Sequence, residues 1–445
     1  MVSFAELRHA KPSSWVTAAA DMKCVGQQSQ RVADDIHANG VMPLTDSWPD
    51  HVGALAARTL RSVAGRAEAS AILARSSVDP LDTLAHAVKI AQDELENAIS
   101  FAEHHRLKVD GNGVISLPSD VSEADRPTLL AIMAQARALI DDAVEAATQA
   151  DGICTSALTE ANRQESQSIG DIAAAKTDDD VKSAADKAKH DAEHVQYQNS
   201  QRALDEIRDT IPDGLTPTEV AQWWNGLTQD EQHDLKCACP VELYDLDGIP
   251  ESVKTELDRP ENGYSAIDVI RYAKEHANDT SIDVYPNNCA NFVSHALHEG
   301  GIPYKFSSPF ELVRWDQDGW GATVGGEMNL PFVGGIDHTR SWGFAPSQRD
   351  FFVEHGAQMM GAGDVRPGDV AYWEYTQSGE IEGGPRTPGE IHHTAIVTGV
   401  LPDGEILYTQ HTDSGMNRPL YGHLPQVAEE SGRQRMEFMR PVRTW

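Results

Sequence analysis

Apolar positions recur every three or four residues through the first half of the chain, the spacing that lines one face of a helix. One stripe runs through Val52, Leu55, Ala56, Leu60, Val63, Ala64 and Ala67, and a second through Leu81, Leu84, Val88, Ala91 and Leu95. A third follows Leu129, Leu130, Ile132, Met133, Ala136, Leu139, Ile140, Ala143, Val144 and Ala147, while 155–208 is helical in character but far more polar. Stripes this narrow bury against other helices, so a helical array is predicted. Asp110-Gly111-Asn112-Gly113 reads as a turn followed by a short extended segment, Val114–Pro118. In the second half the pattern changes. Val370–Tyr375, Ile391–Val400 and Ile406–Thr412 read as strands, the last two joined by a hairpin at Leu401-Pro402-Asp403-Gly404-Glu405.

Composition shifts with the pattern. Residues 1–205 hold 5 of the 29 aromatics and 6 of the 23 prolines, so rings and breakers concentrate beyond them, as a turn-rich domain with strands requires. Three parts are predicted: an all-α helical array over 1–210 suited to partner binding, a helical connector over 211–262, and an α+β domain over 263–445. In the connector, Thr216-Pro217-Thr218-Glu219 and Thr228-Gln229-Asp230-Glu231 place a capping hydroxyl three residues before an acid, twice announcing a helix start. Trp223 and Trp224 read as packing anchors, and Cys237 and Cys239 as ordinary small residues.

Charge removes several functions. A net charge of -33 repels phosphate backbones and anionic lipid, which argues against nucleic-acid or membrane-surface binding as the main function. No apolar run approaches the roughly 20 residues of a membrane span, and Met1–His9 lacks the basic and apolar regions of a signal peptide. Five scattered cysteines make no disulfide framework. The chain has no Gly-x-Ser-x-Gly elbow, no phosphate-binding Gly-Lys-Ser/Thr loop and no His-Glu-x-x-His, and His338, His355, His392 and His393 follow no zinc spacing. No metal or cofactor is predicted. Trp315, Trp320, Trp342 and Trp373 suit a glycan or peptide groove and core packing equally.

The candidate chemistry lies in the α+β domain. Asn287 or Asn288 can cap a helix that runs to Glu299 and ends at Gly300-Gly301, which puts Cys289 in its first turn. Unsatisfied N–H groups there favour thiolate, so a lowered pKa is expected. Cys289, Val293 and Ala296 share a face. His393 enters a strand of small and β-branched residues, where its imidazole can take the thiol proton; alternation aims His392 the other way. A hairpin turn at Pro402-Asp403-Gly404 sets Ala395 opposite His411 and so makes His411 the residue that orients the base, whereas a one-residue shift substitutes Gln410. The backbone N–H of Cys289, with Tyr285 or Asn287, is the expected oxyanion site.

Two resemblances sharpen this reading. Asn288-Cys289-Ala290-Asn291-Phe292-Val293-Ser294, Arg366-Pro367-Gly368-Asp369-Val370, His393-Thr394-Ala395-Ile396-Val397-Thr398 and Tyr408-Thr409-Gln410-His411-Thr412 resemble the amidase domains of the NlpC-like, papain-fold superfamily, and Ser341-Trp342-Gly343-Phe344-Ala345 fits a helix that family places between Cys and His. The resemblance implies an antiparallel sheet packed on the Cys-bearing helix, nucleophile Cys289, base His393 and a polar third residue at His411. It also implies amide substrates, typically in peptidoglycan peptides. A papain-like toxin acting on a protein, as protease or deamidase, and an inert binding module on a helical adaptor are the alternatives. Asp46-Ser47-Trp48-Pro49-Asp50, between two helices, resembles the Trp-x-Gly hairpins of actinobacterial type VII secretion, although Asp50 stands where Gly is usual and Gly53 follows later. That resemblance implies export without a cleaved signal peptide and a secretion partner or immunity protein bound by the helical half; a cytoplasmic protein is the alternative. Physically, a Trp at such a turn can cap the seam between two helices.

Overall fold

The computed structural model describes residues 2–48, 50–119, 121–123, 125–174, 177–283, 288–306, 318–322, 338–376, 379–381, 384–411, 415–421 and 434–445. The chain divides into two compact units, Met1–Asn199 and Ser200–Trp445. The first is a helical array: α1 (Phe4–His9), α2 (Pro12–Ile36), a π-helical turn (His37–Val41), α3 (Met42–Ser47), α4 (His51–Ser76), α5 (Val78–His104), α6 (Arg126–Ala174) and α7 (Asp178–Asp209), which continues past Asn199. Asp110 accepts the N–H groups of Asn112 and Val114, turning β1 (Lys108–Val109) back onto β2 (Ile115–Ser116) as the turn signal predicts.

Leu81, Leu84, Val88, Ala91 and Leu95 form the buried face of α5, and Ala136, Ile140, Ala143 and Ala147 that of α6. The α4 stripe differs from expectation. Val52 and Val63 are exposed; Ala64 of the stripe is buried, with small residues such as Gly53, Ala57, Gly65 and Ala71 and, further along, Ile72 and Leu73. Small side chains let helices approach closely: a Cβ on Gly65 would sit 3.3 Å from Ala185 Cβ. The third predicted stripe and the start of the polar segment form one helix, α6, unbroken to Ala174. Trp48 does not fill a helix seam either. It is half exposed, and its indole N–H donates to Asp50 (2.9 Å), whose other carboxylate oxygen caps α4 through Val52 N and Gly53 N. Gly53 is required because a Cβ there would lie 1.8 Å from the Trp48 carbonyl oxygen.

In the second unit both predicted capping boxes form, at Thr216/Glu219 and Thr228/Glu231, starting α8 (Pro217–Gly226) and α9 (Gln229–Ala238). With α10 (Pro240–Asp245) and α11 (Glu251–Asp258) they bury Val220, Trp224, Leu235, Cys239 and Leu243 together with Ile267, Leu401 and Leu407. Then follow α12 (Ala266–His276), α13 (Cys289–Glu299), α14 (Arg340–Gly343) and α15 (Ala345–Glu354). The strands are β3 (Gln358–Met360), β4 (Val370–Tyr375), a small hairpin of β5 (Gly379–Ile381) and β6 (Gly384–Arg386), β7 (Ile391–Val400), β8 (Ile406–Gln410), β9 (Gly415–Pro419) and β10 (Gln434–Arg440). Six of them make an antiparallel sheet in the order β3-β10-β4-β7-β8-β9. Val370, Tyr372, Ile396 and Met439 pack with α13, whereas Ala371, Trp373, Ala395, Val397, Ile406 and Tyr408 form a second cluster on the other face.

The hairpin register departs from the expected one. Next to the turn Gly399 faces Leu407 and Val400 faces Ile406, as predicted, but beyond a bulge at Thr398 the pairs become Val397 with Tyr408 and Ile396 with Thr409. An inserted residue moves the partner strand by one position and exchanges its faces.

The Arg-Pro-Gly-Asp turn is held by charge. Asp369 is fully buried and accepts from Arg259 (3.0 Å), from Arg440 (2.8 and 2.9 Å) and from the Arg366 backbone N–H. Gly368 has φ +90, and a Cβ there would meet the Arg259 guanidinium at 2.6 Å. Breaking a buried pair strands its partner's charge at roughly 3–5 kcal/mol, while exposed pairs contribute at most about 1 kcal/mol. In urea unfolding of the full chain, Asp369→Ala is therefore expected to lower stability several-fold more than Asp93→Ala, which breaks the exposed Lys89–Asp93 pair. Equal effects would refute the clamp.

Candidate active site

Helix α13 begins at Cys289, and its first six residues are all buried. Asn288 occupies the capping position, but its side chain makes no capping bond. At the other end Gly301 adopts φ +102, as a glycine stop predicts. Burying Asn291 and Ser294 requires partners for them. Asn291 donates to Ile282 O (2.8 Å) and accepts from the Trp342 indole (2.8 Å). Ser294 donates to Trp342 O (2.9 Å) and accepts from Gln348 (2.7 Å) and from the Trp320 indole (3.2 Å). Gln348 also donates to Ala290 O (2.9 Å) and accepts from the Tyr372 hydroxyl (3.1 Å). These bonds fix α13 against α14, α15 and β4. The residues that make them carry no chemistry signal in the sequence, although polar Asn291 and Ser294, three apart on an apolar helix, announce that polar partners meet them.

The thiol faces β7. The backbone N–H groups of Thr394, Ala290 and Cys289 itself act on the sulfur and favour its thiolate, but burial outweighs them and pushes the Cys289 thiol up to about 11. The lowered value expected from the helix start is thus overturned. With Cys289 only 5% exposed, desolvation of the anion exceeds what a few N–H dipoles return.

Thr394 follows His393 directly. The His393 ring lies edge-on to Trp373, with centroids 4.8 Å apart, and its Nε2 is 2.8 Å from Gln410 Oε1. The bulge at Thr398 explains the partner: the shifted register brings Gln410 rather than His411 beside the imidazole. His411 points elsewhere, stacked on Phe292 of α13 (5.6 Å), with Nδ1 3.0 Å from Ala277 O and Nε2 2.6 Å from Asp283 Oδ1. The placement expected for His411 is corrected accordingly. A second bulge, between β4 and β7, interrupts strict alternation at His392, whose ring stacks on Tyr375 at 4.1 Å. Tyr285, Asn287 and Trp315 lie outside the described residues. Trp320, Trp342 and Trp373 are core residues, each at most 1% exposed.

Residues 263–435 match a family model described as "Putative amidase domain". The match supports a C-terminal amidase domain. No curated protein and no solved structure shows significant similarity to the chain. Within the amidase domain, Cys289 and His393 both fall inside the matched span, as do the Gln410 amide and the His411–Asp283 pair. Among the described residues no group of three or more His, Cys, Asp or Glu side chains is placed to hold a metal, and no helix is long and apolar enough to cross a membrane.

A thiol titrating near 11 is almost wholly protonated at neutral pH, and alkylation follows the thiolate. Iodoacetamide is therefore expected to modify the exposed Cys24 well before Cys289 at pH 7. Labelling of Cys289 should rise about tenfold per pH unit towards the thiol pKa. Peptide mapping by mass spectrometry reads both sites, and rapid neutral labelling of Cys289 would contradict the neutral thiol.

Proposed function

We propose that the protein is a cysteine hydrolase of amide bonds, with a papain-like, NlpC-type C-terminal fold, whose substrates are the peptides of peptidoglycan. The observation that supports this reading is the Cys289 thiol held at the N–H of Thr394, the residue that follows His393 on β7; the His393 ring itself shares the Trp373 face of the sheet, with Nε2 at Gln410, and has to turn towards α13 to reach the sulfur. Gln410 Oε1 can only accept, so its bond places a proton on Nε2 and makes Nδ1 the basic nitrogen.

Because the resting thiol is neutral, proton transfer accompanies attack instead of preceding it. His393 takes the thiol proton as sulfur bonds to the substrate carbonyl carbon. The resulting oxyanion is stabilised by the backbone N–H of Cys289, with Tyr285 or Asn287 as the second donor. Collapse breaks the C–N bond, and His393 gives its proton to the departing amine. His393 then deprotonates a water that attacks the acyl-enzyme, releasing the carboxylic acid and restoring the thiol. Each step uses only this chain's residues and water. In the same reading the first unit serves as a secretion or partner-binding module, the chain is exported without a cleaved signal peptide, and an immunity protein is a further candidate partner.

A specific observation favours a second reading: Cys289 is buried, and a buried cysteine also suits an inert binding module. Incubation with purified peptidoglycan separates the two. Wild-type protein is expected to release soluble peptides, and Cys289→Ala to release none while its circular-dichroism spectrum is unchanged. Equal release by both proteins would end the cysteine mechanism, and no release by either would favour the binding module.

A further inference from the structure

Three buried polar side chains lie close to the site and take no part in the reaction above: Thr398 on β7, Thr409 on β8 and Asn417 on β9, each at most 3% exposed. They are joined to one another. Thr398 Oγ1 donates to Asn417 Oδ1 (2.7 Å) and lies 2.9 Å from Thr409 Oγ1, which accepts from the Asn417 backbone N–H (3.1 Å). Gln201 holds the Asn417 carbonyl from outside at 2.8 Å.

Their positions in the sheet give the cluster its meaning. Between Val397 and Gly399 the β7–β8 ladder carries an extra residue on β7, Thr398. On the other side of β8, the pairs Tyr408 with Arg418 and Gln410 with Gly415 leave an extra residue on β9, where Asn417 adopts a left-handed φ of +52. A bulge thus flanks β8 on each edge, and Thr409 lies between them, bonded to both. Without the first bulge the turn-set register would continue along β7, and the face bearing His393 would meet His411. With it, that face meets Gln410. The chemical difference matters for a base: an amide oxygen accepts the ring N–H and never titrates, whereas a second imidazole can donate, accept or carry a proton of its own.

We propose that Thr398, Thr409 and Asn417 form a positioning unit that locks the paired bulges and thereby selects Gln410 over His411 as the partner of His393. This inference rests on the cysteine-hydrolase reading. Its members touch neither the thiol nor the imidazole and act through the register alone.

The test is peptide release from purified peptidoglycan by full-length variants. Thr398→Val removes the hydroxyl and keeps the shape and strand preference. A misplaced base is expected to lower kcat by about 10²-fold with KM unchanged, and Thr398→Ser should restore it. Gln410→Ala should lose a similar factor, and the double variant Thr398→Val/Gln410→Ala no more than either alone, because both remove one bond. Asn417→Gly keeps the left-handed backbone and deletes the amide, and gives the same readout should Thr398→Val fail to fold. Cys289→Ala, assayed alongside, tests the reaction itself: full activity there would remove the hydrolase reading and this inference with it. An inactive Cys289→Ala beside a fully active Thr398→Val, or losses that multiply in the double variant, would overturn the positioning unit alone.

Discussion

The first turn of α13 can press against β7 only because every polar group it carries inward is answered. Gln348 reaches the Ala290 carbonyl and the Ser294 hydroxyl, Trp342 reaches Asn291, and Tyr372 closes the chain of bonds from the sheet. An unpaired buried donor or acceptor costs roughly 1–3 kcal/mol, enough to tilt a short helix out of place. The same burial that gives these bonds their strength removes water from the sulfur. One constraint therefore both positions Cys289 and keeps its thiol neutral.

That coupling shapes the proposed chemistry. A cysteine kept as a thiol attacks only as an imidazole takes its proton, so in this reading the orientation of His393 becomes the controlling variable. The ring is set between Trp373 and Gln410, and the register of two neighbouring strands decides which side chain stands on its far side. Asp369, clamped by Arg259 and Arg440, fixes the turn from which β4, the strand carrying Trp373, begins. Framework and site are thus joined through ordinary strand pairing.

What was legible in the sequence was local. The capping boxes at Thr216 and Thr228, the Asp110 turn, the Cys289 helix start and the strands at 370 and 391 each follow from a few adjacent residues, and each is present. What was hidden depends on distant partners. No local rule inserts a bulge at Thr398, because its stabilising bonds come from Thr409 and Asn417. Hydrophobic spacing placed Val52 and Val63 on a buried face that turns out to carry Gly53, Ala57, Ala64 and Gly65. The helix-start argument set the direction of the Cys289 shift without the burial that reverses it. Nothing next to Asp369 reveals its clamp, since Arg259 and Arg440 lie 110 and 71 residues away along the chain.

The most direct test of a sulfur nucleophile is to stop turnover of a peptidoglycan peptide with acid within milliseconds and weigh the intact protein. A transient mass increase equal to the acyl fragment, mapped by fragmentation to Cys289 and absent from Cys289→Ala, is expected. Peptide release without any such adduct, or an adduct on another residue, would contradict it.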